Sequence, residues 1–258
     1  MGDADTLLRD ALDSLVRGRD LDTETARAVM DRVMEGRATP AQIGALLAAL
    51  RAKGESVDEL TGMAASMRDH AVRVELSVDA VDTCGTGGDG SGTFNISTAA
   101  AFVVAGAGTP VAKHGGRAAS SRCGSADVLE ALGVVIQQPP DAVRRCVEEA
   151  GIGFLFAPAF HPAMRHAAPV RSELGIRTVF NVLGPLANPA RVRHQALGVG
   201  DARLAESMAA VLRGLRHEHA LVIAGAGGLD ELALDAPSRC HDVRPDGISE
   251  LEIDPAAL

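Results

Sequence analysis

Residues Asp82–Gly133 read DTCGTGGDGSGTFNISTAAAFVVAGAGTPVAKHGGRAASSRCGSADVLEALG. An apolar, strand-like run at Val78–Thr83 enters the loop Gly85-Thr86-Gly87-Gly88-Asp89-Gly90, and a helix-like segment begins at Asn95-Ile96-Ser97-Thr98. A second short strand-like run leads into the cationic cluster Lys113-His114-Gly115-Gly116-Arg117. A strand, a turn without bulky side chains and a helix N-terminus bring backbone N–H groups to a place where phosphate oxygens can meet them. The stretch therefore predicts the floor of a site for a phosphorylated substrate.

Working outward, the same alternation continues. Val111–Lys113, Val134–Ile136, Gly153–Phe156, Gln195–Val199 and Ala220–Ala224 read as strands. Helical patterns lie between them at Asn95–Ala107, Ser125–Leu132, Asp141–Ala150, His161–Leu174 and Ala202–Leu215. Strands alternating with crossover helices predict a mostly parallel sheet, with ligands outside the carboxyl ends of its strands. Upstream, Leu7, Leu8, Leu12, Leu15 and Val16 recur at helix spacing, and Thr23–Met34, Pro40–Lys53 and Asp58–Ala71 are amphipathic. Thr39-Pro40 reads as a helix start and Gly54 as its stop. The expected architecture is α/β: an N-terminal helical domain over residues 1–74, with a helical contribution from about 161–185, and an α/β domain over 75–258. Ser249–Leu258 reads as a strand entering Asp254-Pro255, so the protein is either naturally short or lacks a C-terminal part of that domain.

Composition narrows the function classes. A net charge of −9 over 258 residues argues against a general nucleic-acid or acidic-membrane partner. With no Tyr or Trp and six Phe, base-stacking platforms are not expected. No apolar run reaches about 18 residues and the N-terminus is acidic, so the chain reads as soluble and cytoplasmic. Cys84, Cys123, Cys146 and Cys240 form no C-x-x-C pair and read as free thiols. For Cys84 a nucleophilic role competes with that of a small residue leading into a tight turn, and nothing nearby is an obvious base.

The glycine loop alone is a weak signal: no Gly-Lys-Ser/Thr follows, and no dinucleotide fingerprint is present. Thr93, Asn95, Ser97 and Thr98 add hydroxyl and amide groups at one helix start, while Lys113, Arg117, Ser120 and Ser121 add charge and hydroxyls after the next strand. Three polar clusters at successive strand ends make a site more readily than three separate turns do. Asp230-Glu231 follows a further glycine loop, Gly225-Ala226-Gly227-Gly228. Adjacent carboxylates there can hold Mg2+ beside substrate phosphates or form an ordinary acidic turn. Arg171 stands out between Arg165 and Arg177 because a guanidinium can clamp a carboxylate in a bidentate way. His217 and His219 lack a third ligand and make no zinc site.

DTCGTGGDG…TFNIST, VAKHG-x-R-x-x-SS-x-x-GSAD-x-LE-x-LG, FHPAM…R…LG-x-RT-x-FN-x-LGPL-x-NP and GLDE, in that order, resemble the anthranilate phosphoribosyltransferase family of the tryptophan pathway. The resemblance covers the whole chain. It implies a small helical domain and a larger α/β domain of the nucleoside phosphorylase/phosphoribosyltransferase type, a site in the cleft at their hinge, and a homodimer. The implied reaction moves a 5-phosphoribosyl group from phosphoribosyl pyrophosphate to anthranilate with Mg2+, releasing pyrophosphate. Phosphoribosyl pyrophosphate is then expected at Gly85, Gly88, Asp89, Thr93, Asn95, Ile96, Ser97, Thr98, the run Lys113, His114, Gly115, Gly116, Arg117, Ala118, Ala119, Ser120, Ser121, and Ser125. Anthranilate falls to Gly85, His114, Gly116 and Arg171, and Mg2+ to Ser97, Asp230 and Glu231. No residue is assigned as acid, base or nucleophile, since the acceptor amine is already nucleophilic.

Two departures stand out. The family pattern reads Lys-His-Gly-Asn-Arg where this chain has Gly116, and relatives run past residue 258. The competing readings are a paralogue with another aromatic acceptor, opened by Gly116, and a non-catalytic phosphate- or nucleic-acid-binding relative. The acidic net charge and the retained Asp230-Glu231 pair disfavour the second.

Overall fold

The computed structural model describes residues 4–118 and 123–257. Helices α1 (Ala4–Val16), α2 (Thr23–Met34), α3 (Pro40–Lys53) and α4 (Val57–Asp69) come first. There follow β1 (Val81–Gly85), α5 (Ile96–Gly106), β2 (Val111–Gly115), α6 (Ser125–Ala131), α7 (Pro140–Ala150), β3 (Ile152–Phe156) and the single turn α8 (Ala157–Phe160). The rest comprises α9 (Ala168–Leu174), α10 (Val179–Leu183), β4 (His194–Gly198), α11 (Ala205–Gly214), β5 (His219–Ala224), β6 (Ser238–Arg244) and β7 (Gly247–Ile253). The chain divides into two compact units, Met1–Ala71 with His161–Ala187, and Val72–Phe160 with Asn188–Leu258.

In the helical unit the sequence sets the helix ends directly. Asp22 accepts the Thr25 amide at 2.7 Å to start α2. Thr39 and Gln42 form a reciprocal capping box at α3, with Pro40 in the first turn and Gly54 closing the helix at φ 88°. Each satisfies backbone groups that a helix end leaves over. Val29, Met30, Val33, Leu46, Leu47, Leu50, Leu60 and Met63 are buried from three successive helices. Gly62 lets α4 lie on α2, because a Cβ there would stand 2.2 Å from the Thr23 carbonyl. Buried Glu59 is fully engaged, taking Leu21 N–H at 3.0 Å, Ser56 N–H at 2.8 Å and Lys53 Nζ at 3.0 Å. The expected helix at His161–Leu174 is instead a 3-10 turn at Pro162–His166 followed by α9. Pro162 and Pro169 each fit only a first turn, so one helix cannot run through both.

The second unit is one seven-stranded sheet in the order β3-β2-β1-β4-β5-β6-β7. The first five strands are parallel and β6 and β7 are antiparallel. The α/β class with a mostly parallel sheet is therefore correct, and the β6–β7 hairpin is what the sequence reading missed. Its signal was Pro245-Asp246-Gly247, a turn former between two alternating runs. Val134–Ile136, expected as a strand, is irregular chain. Ile136 is drawn into a cluster with Ala126, Leu129 and Phe156, while Val135 is left 66% exposed. The main core of this unit joins Ala80, Ala112, Val143, Val147, Leu155, Phe160 and Val192 beneath the strands. Gly85, Gly115 and Gly198 end β1, β2 and β4. They let other chain pack closely at the carboxyl edge, where parallel sheets bind ligands.

Candidate active site

The loop after β1 needs its glycines. Gly87, Gly88, Gly90 and Gly92 all have φ between 63° and 74°, a region that side chains disfavour. Three bonds tie the loop to distant chain: Thr86 N–H to the Gly198 carbonyl at 2.9 Å, Gly200 N–H to Thr86 Oγ1 at 3.2 Å, and Gly87 N–H to Asp230 Oδ2 at 2.8 Å. Asp89 accepts the Ser91 amide at 3.2 Å, and Ser91 and Thr93 share a hydroxyl contact at 3.2 Å.

Helix α5 starts at Ile96, and Asn95 stands at its cap position without capping it; its Nδ2 donates to the Cys123 carbonyl at 3.3 Å. Ser97 N–H, one of the first-turn amides, donates to Glu231 Oε1 at 3.1 Å. Thr98 Oγ1 meets Ser125 Oγ at 3.0 Å. From β2, buried Lys113 extends its ammonium to Ser97 Oγ at 3.3 Å and to the Thr83 carbonyl. Gly115 is pressed against Ser125 and Phe154, where a Cβ would meet atoms at 3.3 Å. Buried His114 donates its backbone N–H to Asp82 Oδ1 at 3.1 Å. Gly85, Gly87, Ser97, Lys113, Asp230 and Glu231 are thus brought together by direct contacts.

Arg117 is placed differently. Its guanidinium bonds Asp127 at 2.8 Å and Glu130 at 2.9 Å, both on α6, and lies 5.8 Å over the Phe156 ring. Asp127 also takes the Ala118 amide at 3.2 Å. Ala119, Ser120 and Ser121 lie outside the described residues. Arg171 belongs to the helical unit, 5.1 Å over the Phe180 ring. Burial pushes its pKa down, and among the described residues no carboxylate pairs with it. A half-buried guanidinium of that kind suits a carboxylate ligand.

A cavity of about 900 Å³ runs from the loop along α5 and α6. Gly88, Asp89, Thr93, Asn95 and Thr98 make its polar end, and Phe94, Phe102 and Leu132 its apolar end.

The acidic pair is under electrostatic tension. Desolvation raises the pKa of Asp230, and the charge of Asp89 raises it further. Glu231 is pushed up to about 7, first by burial and then by the charge of Asp230. Crowded, partly desolvated carboxylates beside the Ser97 hydroxyl suit a divalent cation, which would relieve their repulsion. Among the described residues no three His, Cys, Asp or Glu side chains gather into a metal cage. Mg2+ commonly binds one or two carboxylates and keeps positions for water and phosphate. Cys84, which receives Gln195 Nε2 at 3.0 Å, has its thiol pKa driven far above the ordinary range by burial and then by the charge of Asp82. A thiol held protonated in this way is poorly suited to act as a nucleophile.

Sequence reasoning missed Gly198, Gly200, Asp82 and Asn188. Gly198-Val199-Gly200 at a strand end was a readable cue for close backbone approach; Asp82 and Asn188 carried none.

A glycine loop and a carboxylate pair at the carboxyl edge of a parallel sheet form a place where a phosphorylated ligand can bind. The chain matches the description "Glycosyl transferase family, a/b domain" over residues 77–258 and "Glycosyl transferase family, helical bundle domain" over residues 9–71. It is 60% identical over 237 residues to the anthranilate phosphoribosyltransferase of Chloroflexus aurantiacus, covering 92% of this chain and 70% of that one. The crystal structure of anthranilate phosphoribosyltransferase from Thermus thermophilus superposes with a TM-score of 0.87 at 48% identity, covering 94% of this chain and 73% of that one. The Saccharomyces cerevisiae enzyme in complex with phosphoribosyl pyrophosphate and Mg superposes with a TM-score of 0.86 at 28% identity, covering 95% and 72%. The same yeast enzyme is known with 4-fluoroanthranilate, at a TM-score of 0.85, 26% identity and coverage of 98% and 73%. The chain belongs to the anthranilate phosphoribosyltransferase family.

Proposed function

We infer that this protein transfers the 5-phosphoribosyl group of phosphoribosyl pyrophosphate to the amine of anthranilate, giving N-(5-phosphoribosyl)anthranilate and pyrophosphate in tryptophan biosynthesis. The observation that carries the site assignment is the convergence of the Gly85–Gly90 loop, the start of α5, Lys113 and the Asp230-Glu231 pair. In this reading Gly85, Gly88, Asp89, Thr93, Asn95, Ile96, Ser97 and Thr98 hold the pyrophosphate end. Lys113, with the chain from His114 to Ser121 and Ser125, holds the phosphoribosyl end. Arg171 receives the anthranilate carboxylate, with Gly85, His114 and Gly116 completing the acceptor contacts.

Breaking the C1–oxygen bond builds positive charge on the ribose and negative charge on the departing pyrophosphate. Loop amides stabilise the negative charge, and a fixed frame of donors does so without reorganising. Asp230, Glu231 and Ser97 would hold Mg2+, which supplies further positive charge to the pyrophosphate oxygens. The acceptor amine attacks with its own lone pair, so no side chain need form a covalent intermediate. A Cβ at Gly116 would have Ala157 Cβ, 3.9 Å away, as its nearest neighbour among the described residues outside the adjoining chain. The lack of a side chain there favours tolerance of larger aromatic amines as a second feature of the acceptor side.

We further propose a homodimer formed through the amphipathic helical unit, and a cytoplasmic location, because phosphoribosyl pyrophosphate is a polyanion that does not cross membranes. Among the described residues no helix is long and apolar enough to span a membrane. The test is turnover of phosphoribosyl pyrophosphate with Mg2+ and a panel of aromatic amines. Consumption of another amine but not anthranilate would overturn the acceptor assignment, and sedimentation as a monomer would overturn the dimer.

A further inference from the structure

Strands β1 and β2 are neighbours, yet their register consists of one pair, Val81 with Val111. By contrast β1 with β4, and β2 with β3, each align over five pairs. Beyond that first rung, side chains take the backbone groups that a continued ladder would use. Asp82 Oδ1 accepts the His114 amide at 3.1 Å, and Asn188 Nδ2 donates to the Ala112 carbonyl at 2.9 Å. Lys113 Nζ donates to the Thr83 carbonyl. Asn188 Nδ2 also reaches Asp82 Oδ2 at 2.8 Å, and Asn188 Oδ1 accepts the Ala190 amide at 2.9 Å.

Asp82, Asn188 and Lys113 are 0%, 1% and 2% exposed. A carboxylate, an amide and an ammonium buried inside a sheet are costly where apolar residues and a plain ladder would serve. What they hold is a separation of two central strands at the edge where the site opens. A closed ladder runs its strands about 4.8 Å apart and would engage the Thr83 carbonyl with a backbone amide. The lysine would then lose the anchor that aims it at Ser97.

We propose that Asp82 and Asn188 are a positioning pair, holding β1 and β2 apart so that Lys113 stands at the start of α5, where it meets the phosphorylated substrate. The proposal rests on the phosphoribosyltransferase reading. Neither residue touches substrate; both act through Lys113.

The test is a double-mutant cycle read in the Michaelis constants. Asp82→Asn preserves shape but sets one amide against the Asn188 amide and removes a charge. It raises KM for phosphoribosyl pyrophosphate about tenfold and leaves KM for anthranilate within about twofold. In a Lys113→Met background the same substitution changes KM for phosphoribosyl pyrophosphate less than about twofold, because the group it positions is gone. Asn188→Asp, which places two carboxylates face to face, behaves alike. If Asp82→Asn does not fold, Asn188→Ser, which removes only the amide, carries the same cycle, with thermal melting to confirm folding. An unchanged KM in a folded variant, or the same factor in both backgrounds, overturns the positioning role while leaving the reaction assignment intact. Absence of turnover by the unsubstituted protein overturns the reaction assignment, and the positioning role with it.

Discussion

Gly198, the last residue of β4, packs directly under the backbone of Asp230: a Cβ at Gly198 would lie 1.5 Å from the Asp230 carbonyl oxygen. At the end of β1, a Cβ at Gly85 would lie 2.5 Å from Asp230 Oδ2. Two strand-end glycines therefore clear the ground on which the acidic pair stands. Asp230 in turn ties down the glycine loop through the Gly87 amide.

Gly198→Ala must push the Asp230 loop away. The expected cost in stability is about 1–3 kcal/mol, typical of overpacking. Turnover falls at least about tenfold at limiting Mg2+, with partial recovery at high Mg2+. Thermal melting and an Mg2+ titration check this, and an Ala variant with wild-type Mg2+ dependence would show that the contact does not aim Asp230.

Asp230→Asn combined with Glu231→Gln raises the Mg2+ concentration needed for half-maximal turnover by about tenfold or more. Since Glu231 titrates at about 7, a proton competes with the cation near neutrality. Mg2+ affinity of the substrate-free protein should therefore rise as pH increases through about 7, with proton release on binding. Calorimetry in two buffers of different ionisation heat measures both; a flat Mg2+ titration in the double variant marks the pair as a turn only.

For Gly116→Asn the new Cβ meets only Ala157 Cβ, at 3.9 Å, among the described residues outside its chain neighbours, and Gly116 has no positive φ. Stability stays within about 0.5 kcal/mol, as for substitutions away from packed features. The added amide lowers KM for anthranilate and narrows the range of accepted amines. An unaltered KM counts against an acceptor role at this position.

Buried His161 is held neutral, its pKa lowered to about 4 by burial. The unfolded chain takes up this proton near 6.5 and the folded one does not until about 4. Stability from this residue is whole above 6.5 and is lost as pH falls through that window, up to about 3 kcal/mol. His161→Gln should flatten the acid limb of the stability curve. Denaturant titrations at several pH values decide, and parallel curves would rule the histidine out.

Cys84→Ala should leave turnover within a few-fold, since a buried thiol carries no covalent chemistry here. Iodoacetamide should label the exposed Cys123 and Cys146 before Cys84 in the native protein. Loss of turnover by orders of magnitude in the Ala variant would restore a nucleophilic role.

Local chemistry made much of this protein legible in one dimension. Thr23–Met34 and Pro40–Lys53 are helices at the bounds their caps and periodicity announce, because Asp22, Thr39, Pro40 and Gly54 act on neighbouring backbone. The strand, glycine loop and helix start of Asp82–Thr98 were readable for the same reason. What lay beyond reach depended on residues far apart in sequence. Val134–Ile136 has strand composition but is spent on filling a cluster with Phe156, and the partner of the strand read at Ser249 onward, β6, could be found only across the turn that joins them.

For the site, the sequence determined which groups exist: the glycines that must take positive φ, the hydroxyls of Thr93, Ser97 and Thr98, Lys113, and the paired Asp230 and Glu231. Only the tertiary structure decided which of them meet. It joined Ser97 to Glu231 and Gly87 to Asp230, gave Arg117 to Asp127 and Glu130, and buried Asp82 against Asn188. The physical reason is that the Ser97–Glu231 and Gly87–Asp230 pairings cross from one strand end to another. Sheet order, which puts β4 beside β1 and β5 beside β4, sets those distances and no local pattern records them.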